Sequence, residues 1–226
     1  MLASDLFQFP ASLPFAQFFP SNVPPWEWVS AIHKALEDFN FSIHKRNDIP
    51  THLFIEGNVY LHETVKLPPY GYIQGPAYIG ANCELRPGVY IRGNVIVGEN
   101  CVLGNSCEYK NCLLMDHVQT PHFNYVGDSI LGSRSHLAAG VILANQRLDK
   151  EPITINFANN KIPTYLKKLG SMIAESVEVG CNTVLQPGTI LSKNVIVGSC
   201  VALGGFVKEN QKVFAQKPIL SDSQKV

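Results

Sequence analysis

Counting every sixth residue from Ile55 passes through Ile55, Leu61, Leu67, Ile73, Ile79, Leu85, Ile91, Val97, Leu103 and Tyr109, all apolar or aromatic. Four residues after most of these stands a second small or β-branched residue, among them Val59, Val65, Ala77, Cys83, Val89, Val95, Cys101 and Cys107. Both series must face a core. Asn or Gly recurs three residues after the first series, at Asn58, Asn82, Gly88, Asn94 and Asn100. These residue types accept a left-handed backbone at low cost, so they read as corners. The beat resumes at Leu131, Leu137 and Leu143, displaced by four residues, and again from Ile173 through Val179, Leu185, Leu191, Val197 and Leu203, with corners at Asn182, Gly188 and Asn194.

A period of six fits neither the 3.6 of a helix nor the 2 of an ordinary strand, and fixed-period self-similarity marks a repeat architecture. The spacing predicts a parallel β-helix in which three hexads close a triangular coil, giving roughly six coils over residues 51–212. Two interruptions read as loops, at about 115–130 and 145–171. Residues 1–50 lack the beat. There Pro24-Pro25 precede a helical spacing of Val29, Ile32, Leu36 and Phe39, with Glu27 near its start and Asn40 at its end. Phe7, Phe9, Phe15, Phe18 and Phe19 lie before it among prolines. This arm and helix are expected to cap the open edge of the first coil, as a solenoid requires. Residues 213–226 read as a C-terminal tail, its lysines solvated.

Composition narrows the function. Formal net charge is zero, with 18 basic and 18 acidic residues, which lacks the basic footprint of a nucleic-acid binder. No run of about 18 apolar residues and no basic leader precedes the repeats, so no membrane span is expected and a soluble, cytoplasmic protein is. Cys83, Cys101 and Cys107 occupy inward positions, where a thiol is a compact hydrophobe, and Cys112, Cys181 and Cys200 form no C-x-x-C pair. Neither a disulfide framework nor a zinc knuckle is expected.

The first interruption holds His117, His122, Tyr125, Gly127 and Asp128. Residues one coil apart in a β-helix are stacked neighbours, so Arg86 and Lys110, one coil plus one face apart, are expected to border a common edge. Two cations and an imidazole near one groove suit a phosphorylated substrate and a proton transfer.

The run from Leu85-Arg86-Pro-Gly through Asn105 to Lys110, then His122-Phe-Asn-Tyr125-Val-Gly127-Asp128 and Ala139 to Asn145, resembles the acetyltransferase domain of bifunctional UDP-N-acetylglucosamine-synthesising enzymes. Ala144-Asn145-Gln-Arg147-Leu-Asp149 followed by Lys167-Lys168-Leu-Gly170 is similar to the related sugar-1-phosphate nucleotidyltransferase/acetyltransferase branch. The resemblance implies an all-β fold, a left-handed β-helix of hexapeptide repeats, assembled as a homotrimer with sites between subunits. It also implies acetyl transfer from acetyl-CoA to the amine of an amino-sugar phosphate such as glucosamine 1-phosphate. His122 matches the general base, and Arg86, Lys110, Tyr125, His136 and Lys168 match positions that bind the acceptor. Ala139, Asn145, Gln146 and Cys181 match positions that contact acetyl-CoA. At His136 this chain departs from the family's asparagine. No Gly-rich phosphate loop occurs in these residues, so nucleotidyl transfer is not expected.

Two other readings come from the same residues. His117, His122 and His136 resemble the zinc ligands of γ-class carbonic anhydrases, although the primary reading assigns no metal. Alternatively, a trimeric β-helix binds a sugar nucleotide without catalysis, or docks partners through its Phe-rich arm.

Overall fold

The computed structural model describes residues 1–43, 46–158 and 160–215; Lys217 and most of the C-terminal tail lie outside the described residues. Short strands stack into three parallel walls of eight, eight and seven strands, coiled as a left-handed β-helix. The inward series is continuous in register. In the first wall Ile55 stacks on Ile73, Ile91, Tyr109, Val126, Leu143, Leu185 and Leu203 in turn. The second wall runs through Leu61, Ile79, Val97 and Leu114, the third through Leu85, Leu103 and Thr120. These residues form one buried cluster along the axis, with Cys83, Cys101, Cys107 and Cys112 among them as free thiols.

The first two walls hold eight rungs each, more than the roughly six coils the hexad count gives. About one coil of the difference is the segment expected to loop out, and strands Phe206–Val207 and Lys212–Val213 continue the walls past the counted series. Gln119–His122 and Tyr125–Gly127 are ordinary strands, paired on both sides. Nothing is extruded at 115–130. Instead two coils are each one residue short: Ile91 follows Ile73 by 18 residues, whereas Val126 follows Tyr109 and Leu143 follows Val126 by 17. The cause is the corner between the first and second walls. A full corner sets two residues between the strands, as Gly57-Asn58 and Gly93-Asn94 do, but Asn111 and Asp128 each make the turn alone. Two deletions of one residue mimic an insertion of four in a count of six.

Other corners match the expected residues, with Asn82, Gly88, Asn94, Asn100, Asn182, Gly188 and Asn194 all at positive φ. Asn58 does not take that conformation; the adjacent Gly57 does, at φ 76. Glycine adopts it without a Cβ penalty and so absorbs the turn.

Only the end of the N-terminal segment meets the first coil's open end, where Arg46 donates to the His62 and Val65 carbonyls and Ile49 packs on the axial core; the rest of the arm goes elsewhere. It lies along the outer face of the second wall. The helix Glu27–Glu37 packs on the strands Val95–Val97 and Cys112–Leu114. Leu6, Phe7, Phe15, Phe19, Trp28 and Ile32 join the outward residues Tyr60, Tyr78, Ile96, Leu113 and Ile130 in a second core. Phe15 meets Tyr78 edge-on, and Phe39 meets both Tyr60 and Tyr78. The arm's far end reaches Asp116 through Ser12 and Glu175 through Gln8.

Between Asn145 and Gly170 the chain leaves the coil and makes an antiparallel hairpin, Thr154–Phe157 with Asn160–Pro163. Ile153, Ile155 and Leu169 extend the same second core over Met172 and Ile190, and Phe157 meets Phe206. Arm and hairpin together tile the second wall from its first coil to its last. The first and third walls carry no such cover among the described residues. No helix among the described residues is long and apolar enough to cross a membrane.

Candidate functional site

Two clusters flank the first wall. One stands at its corner with the second wall, where Lys110, Asp128 and Asn145 occupy successive coils. The Asp128 carboxylate is 5% exposed and accepts hydrogen bonds from Asn111 Nδ2 at 2.8 Å and Asn145 Nδ2 at 2.5 Å. Lys110 Nζ lies 3.3 Å from it. A buried carboxylate is retained only with such partners, and removing them leaves an uncompensated charge. Asn145 also donates to the Tyr125 hydroxyl at 3.1 Å. Gly127 makes this possible: a Cβ there would stand 2.5 Å from the Tyr125 hydroxyl and 2.8 Å from Asn145 Nδ2. Burial first, then the nearby Asp128 and Glu108 carboxylates, push the Tyr125 phenol above its ordinary range, so it is a neutral hydroxyl at physiological pH.

The hairpin returns to this corner. The Leu169 N–H donates to the Asn145 carbonyl and the Gly170 N–H to that of Asp128, which brings exposed Lys168 to the cluster's rim. Gln146 is exposed at the start of the excursion.

The second cluster is the corner between the third and first walls. His122 stacks on Asn105, and its carbonyl accepts from the Gly140 N–H at 3.0 Å. Ala139 lies in the next coil of this column, where the Asn182 N–H bonds its carbonyl, and exposed Cys181 lies one coil further. Asn105, His122, Ala139 and Cys181 thus form one column along this corner.

Arg86 and His136 belong to neither cluster. Arg86 faces out from the third wall and pairs with Glu84 at 2.7 Å. Counting one coil back from Lys110 leads instead to Arg92, on the first wall and in register with it. Arg92 pairs with Glu108 at 2.5 Å and lies over the Tyr90 ring. One coil is 18 residues, and the further face in the interval of 24 puts Arg86 on the third wall rather than at the edge that Lys110 borders. His136 sits mid-way along the third wall, 2.8 Å from Glu178, in a groove of about 350 Å³ with His117, Gln119 and Arg134. His117 and His122 stand at opposite corners of that wall, and no metal-holding group of three His, Cys, Asp or Glu side chains occurs among the described residues.

Asp128, Asn111 and Arg92 are residues that the sequence reading did not assign to the site. The left-handed conformation at Asp128, φ 49, belongs to a corner made by a single residue, which a strict count of six conceals.

Comparison with known proteins agrees with the resemblance. Residues 73–156 match the family described as the GMPPB C-terminal domain. The bifunctional protein GlmU of Methanococcus vannielii is 32% identical over 118 residues, 52% of this chain and 28% of the relative. A bifunctional sugar-1-phosphate nucleotidylyltransferase/acetyltransferase of Sulfurisphaera tokodaii is 30% identical over 112 residues, 47% of this chain and 28% of that protein. The chain thus spans little more than a quarter of these relatives. Among solved structures, the polysialic acid O-acetyltransferase OatWY aligns with a TM-score of 0.41 at 17% identity, over 76% of this chain and 95% of that one.

Proposed function

We propose that this protein is a CoA-dependent N-acetyltransferase whose acceptor is an amino-sugar phosphate such as glucosamine 1-phosphate, and that it works as a homotrimer. The observation that carries the reading is the column of His122 and Ala139 on one edge of a bare wall, while a cation and hydroxyl cluster occupies the other. The resemblance at His122 to Asp128 and Ala144 to Asp149, together with the GlmU relatives, supports the same chemistry.

In this reading Arg92 and Lys110 meet the acceptor's phosphate and Tyr125 and Asn145 hydrogen-bond its sugar. Both cations already face carboxylates, Glu108 and Asp128, which hold them oriented before the ligand arrives. The acceptor amine attacks the thioester carbonyl, and the His122 imidazole takes the proton the amine loses. The tetrahedral oxyanion then collapses, the C–S bond breaks, and the CoA thiolate recovers a proton from the imidazolium. Base catalysis of this kind contributes about 10²- to 10⁴-fold. In the trimer, Ala139 and Cys181 on one edge of one copy and Asn145 and Gln146 on the other edge of its neighbour contact acetyl-CoA between them. The tiled second wall leaves the first and third walls for that contact.

The test is thiol release from acetyl-CoA with glucosamine 1-phosphate and related amino sugars. Wild type turns over, and His122→Ala loses at least about 10²-fold in kcat. Ligand binding with no turnover on any acceptor would leave the binding-only reading standing.

A further inference from the structure

The inside of the coil behind His122 differs from the rest of the core. Tyr109 and Thr120 occupy inward positions that are aliphatic elsewhere, and their hydroxyls lie 2.6 Å apart. Beside them Asn124, 2% exposed, fills the small inward column that holds Val89, Cys107 and Val141 in neighbouring coils. An amide at such a site is costly unless every polar atom is partnered.

Asn124 is partnered across two coils. Its Oδ1 accepts from the His122 N–H at 3.3 Å, and its Nδ2 donates to the Ala138 carbonyl at 2.7 Å. Its own N–H points to Cys107 Sγ at 3.1 Å. The side chain therefore ties the His122 strand to the turn that carries Ala139 and Gly140. Between His122 and Asn124 stands Phe123, at φ 54 and 58% exposed. The other left-handed residues of this corner are Gly88, Ser106, Gly140, Asn182 and Cys200. A bulky aromatic residue in that region is a true outlier, and such strain persists only where the surroundings over-determine it.

We infer that Asn124 is a positioning residue that locks the strained Phe123 corner from inside the coil and so fixes His122 against the Ala139–Gly140 turn. The catalytic part of this inference rests on the proposed function, and the lock itself does not. Asn124→Val suits the column, whose neighbours include Val89 and Val141, so the chain still folds. Without the lock, Phe123 drifts toward an ordinary φ and carries His122 with it.

The experiment is a double-mutant cycle of Asn124→Val with Phe123→Gly, since glycine holds φ 54 without help. Asn124→Val is expected to speed exchange of the Gly140 amide about tenfold or more, because the bond to the His122 carbonyl opens locally. Its kcat falls about 10- to 100-fold, with KM for acetyl-CoA within about twofold, as a misplaced base predicts. In the Phe123→Gly background the same change costs less than about threefold in either readout. Unchanged Gly140 exchange in Asn124→Val overturns the lock. A kcat loss of equal size in both backgrounds overturns the positioning role. If wild type shows no CoA-dependent turnover, the proposed function falls, and Gly140 exchange alone decides whether Asn124 locks the corner.

Discussion

The outward rungs of the second wall run Tyr60, Tyr78, Ile96, Leu113, Ile130, Met172, Ile190 and Phe206; those of the first run Phe54, Tyr72, Tyr90, Glu108, Tyr125, Ile142, Val184 and Ala202. Both sets belong to the same coils and the same kind of strand. The second wall is apolar throughout, and with the arm and hairpin on its outer face and the axial core within it is buried on both faces, as all-parallel sheets usually are. The first mixes aromatic rings with Glu108 and, in its second outward row, Arg92 and Lys110, and it stays uncovered. The contrast assigns labour: one wall holds the chain's own extension and the other holds the candidate chemistry.

The comparison breaks first if the arm is not an integral part of the core. Trp28, 1% exposed, stacks on Phe7 and donates to the Pro20 carbonyl. Trp28→Ala is expected to cost about 3–5 kcal/mol in chemical denaturation. A loss under about 1 kcal/mol would mean that the arm lifts off freely. Ile96 and Tyr90 then compare the two walls within one coil. Ile96→Ala, at a fully buried position, is expected to cost about 2–5 kcal/mol. Tyr90→Ala, at 39% exposure, costs under about 1 kcal/mol in the isolated chain. A Tyr90→Ala cost that grows with protein concentration would mark the first wall as a subunit contact. The smallest effect separates the first wall from the third: Arg92→Ala raises the acceptor's KM about tenfold, because it removes one charge-assisted contact. Arg86→Ala leaves KM within about twofold, since its pair with Glu84 is on the surface. The opposite order would return the phosphate site to the third wall.

How much of this was legible in the sequence depended on the period. Where a coil is 18 residues, the series from Ile55 to Leu103 names the core rung by rung, and Asn82, Asn94 and Asn100 name its corners. Where Asn111 and Asp128 turn the chain one residue early, the same count reports a loop that does not exist. His122 and Tyr125 stand out as candidates by their local motif, which a shift in phase does not disturb. Arg92 was missed because its identity as a site residue lies only in its stacking against Lys110. The arm's destination was also readable, since Val95-Ile96-Val97 and Cys112-Leu113-Leu114 are apolar at consecutive positions. A strand apolar on both faces must be covered on both, so the arm and helix go to the second wall and leave the solenoid end to Arg46 and Ile49.

In the proposed trimer the two edges of the bare wall carry complementary halves of one site, joined between copies. His122→Ala disables the edge with Ala139 and Cys181, and Asn145→Ala disables the edge with Lys110 and Asp128. The direct measurement is acetyl transfer by the two variants, each nearly inactive alone, after they are unfolded together and refolded as mixed oligomers. Random assembly into a cyclic trimer pairs two intact edges at about a quarter of the interfaces, so the mixture is expected to recover about a quarter of wild-type activity. A mixture no more active than either variant alone would contradict a site shared between copies.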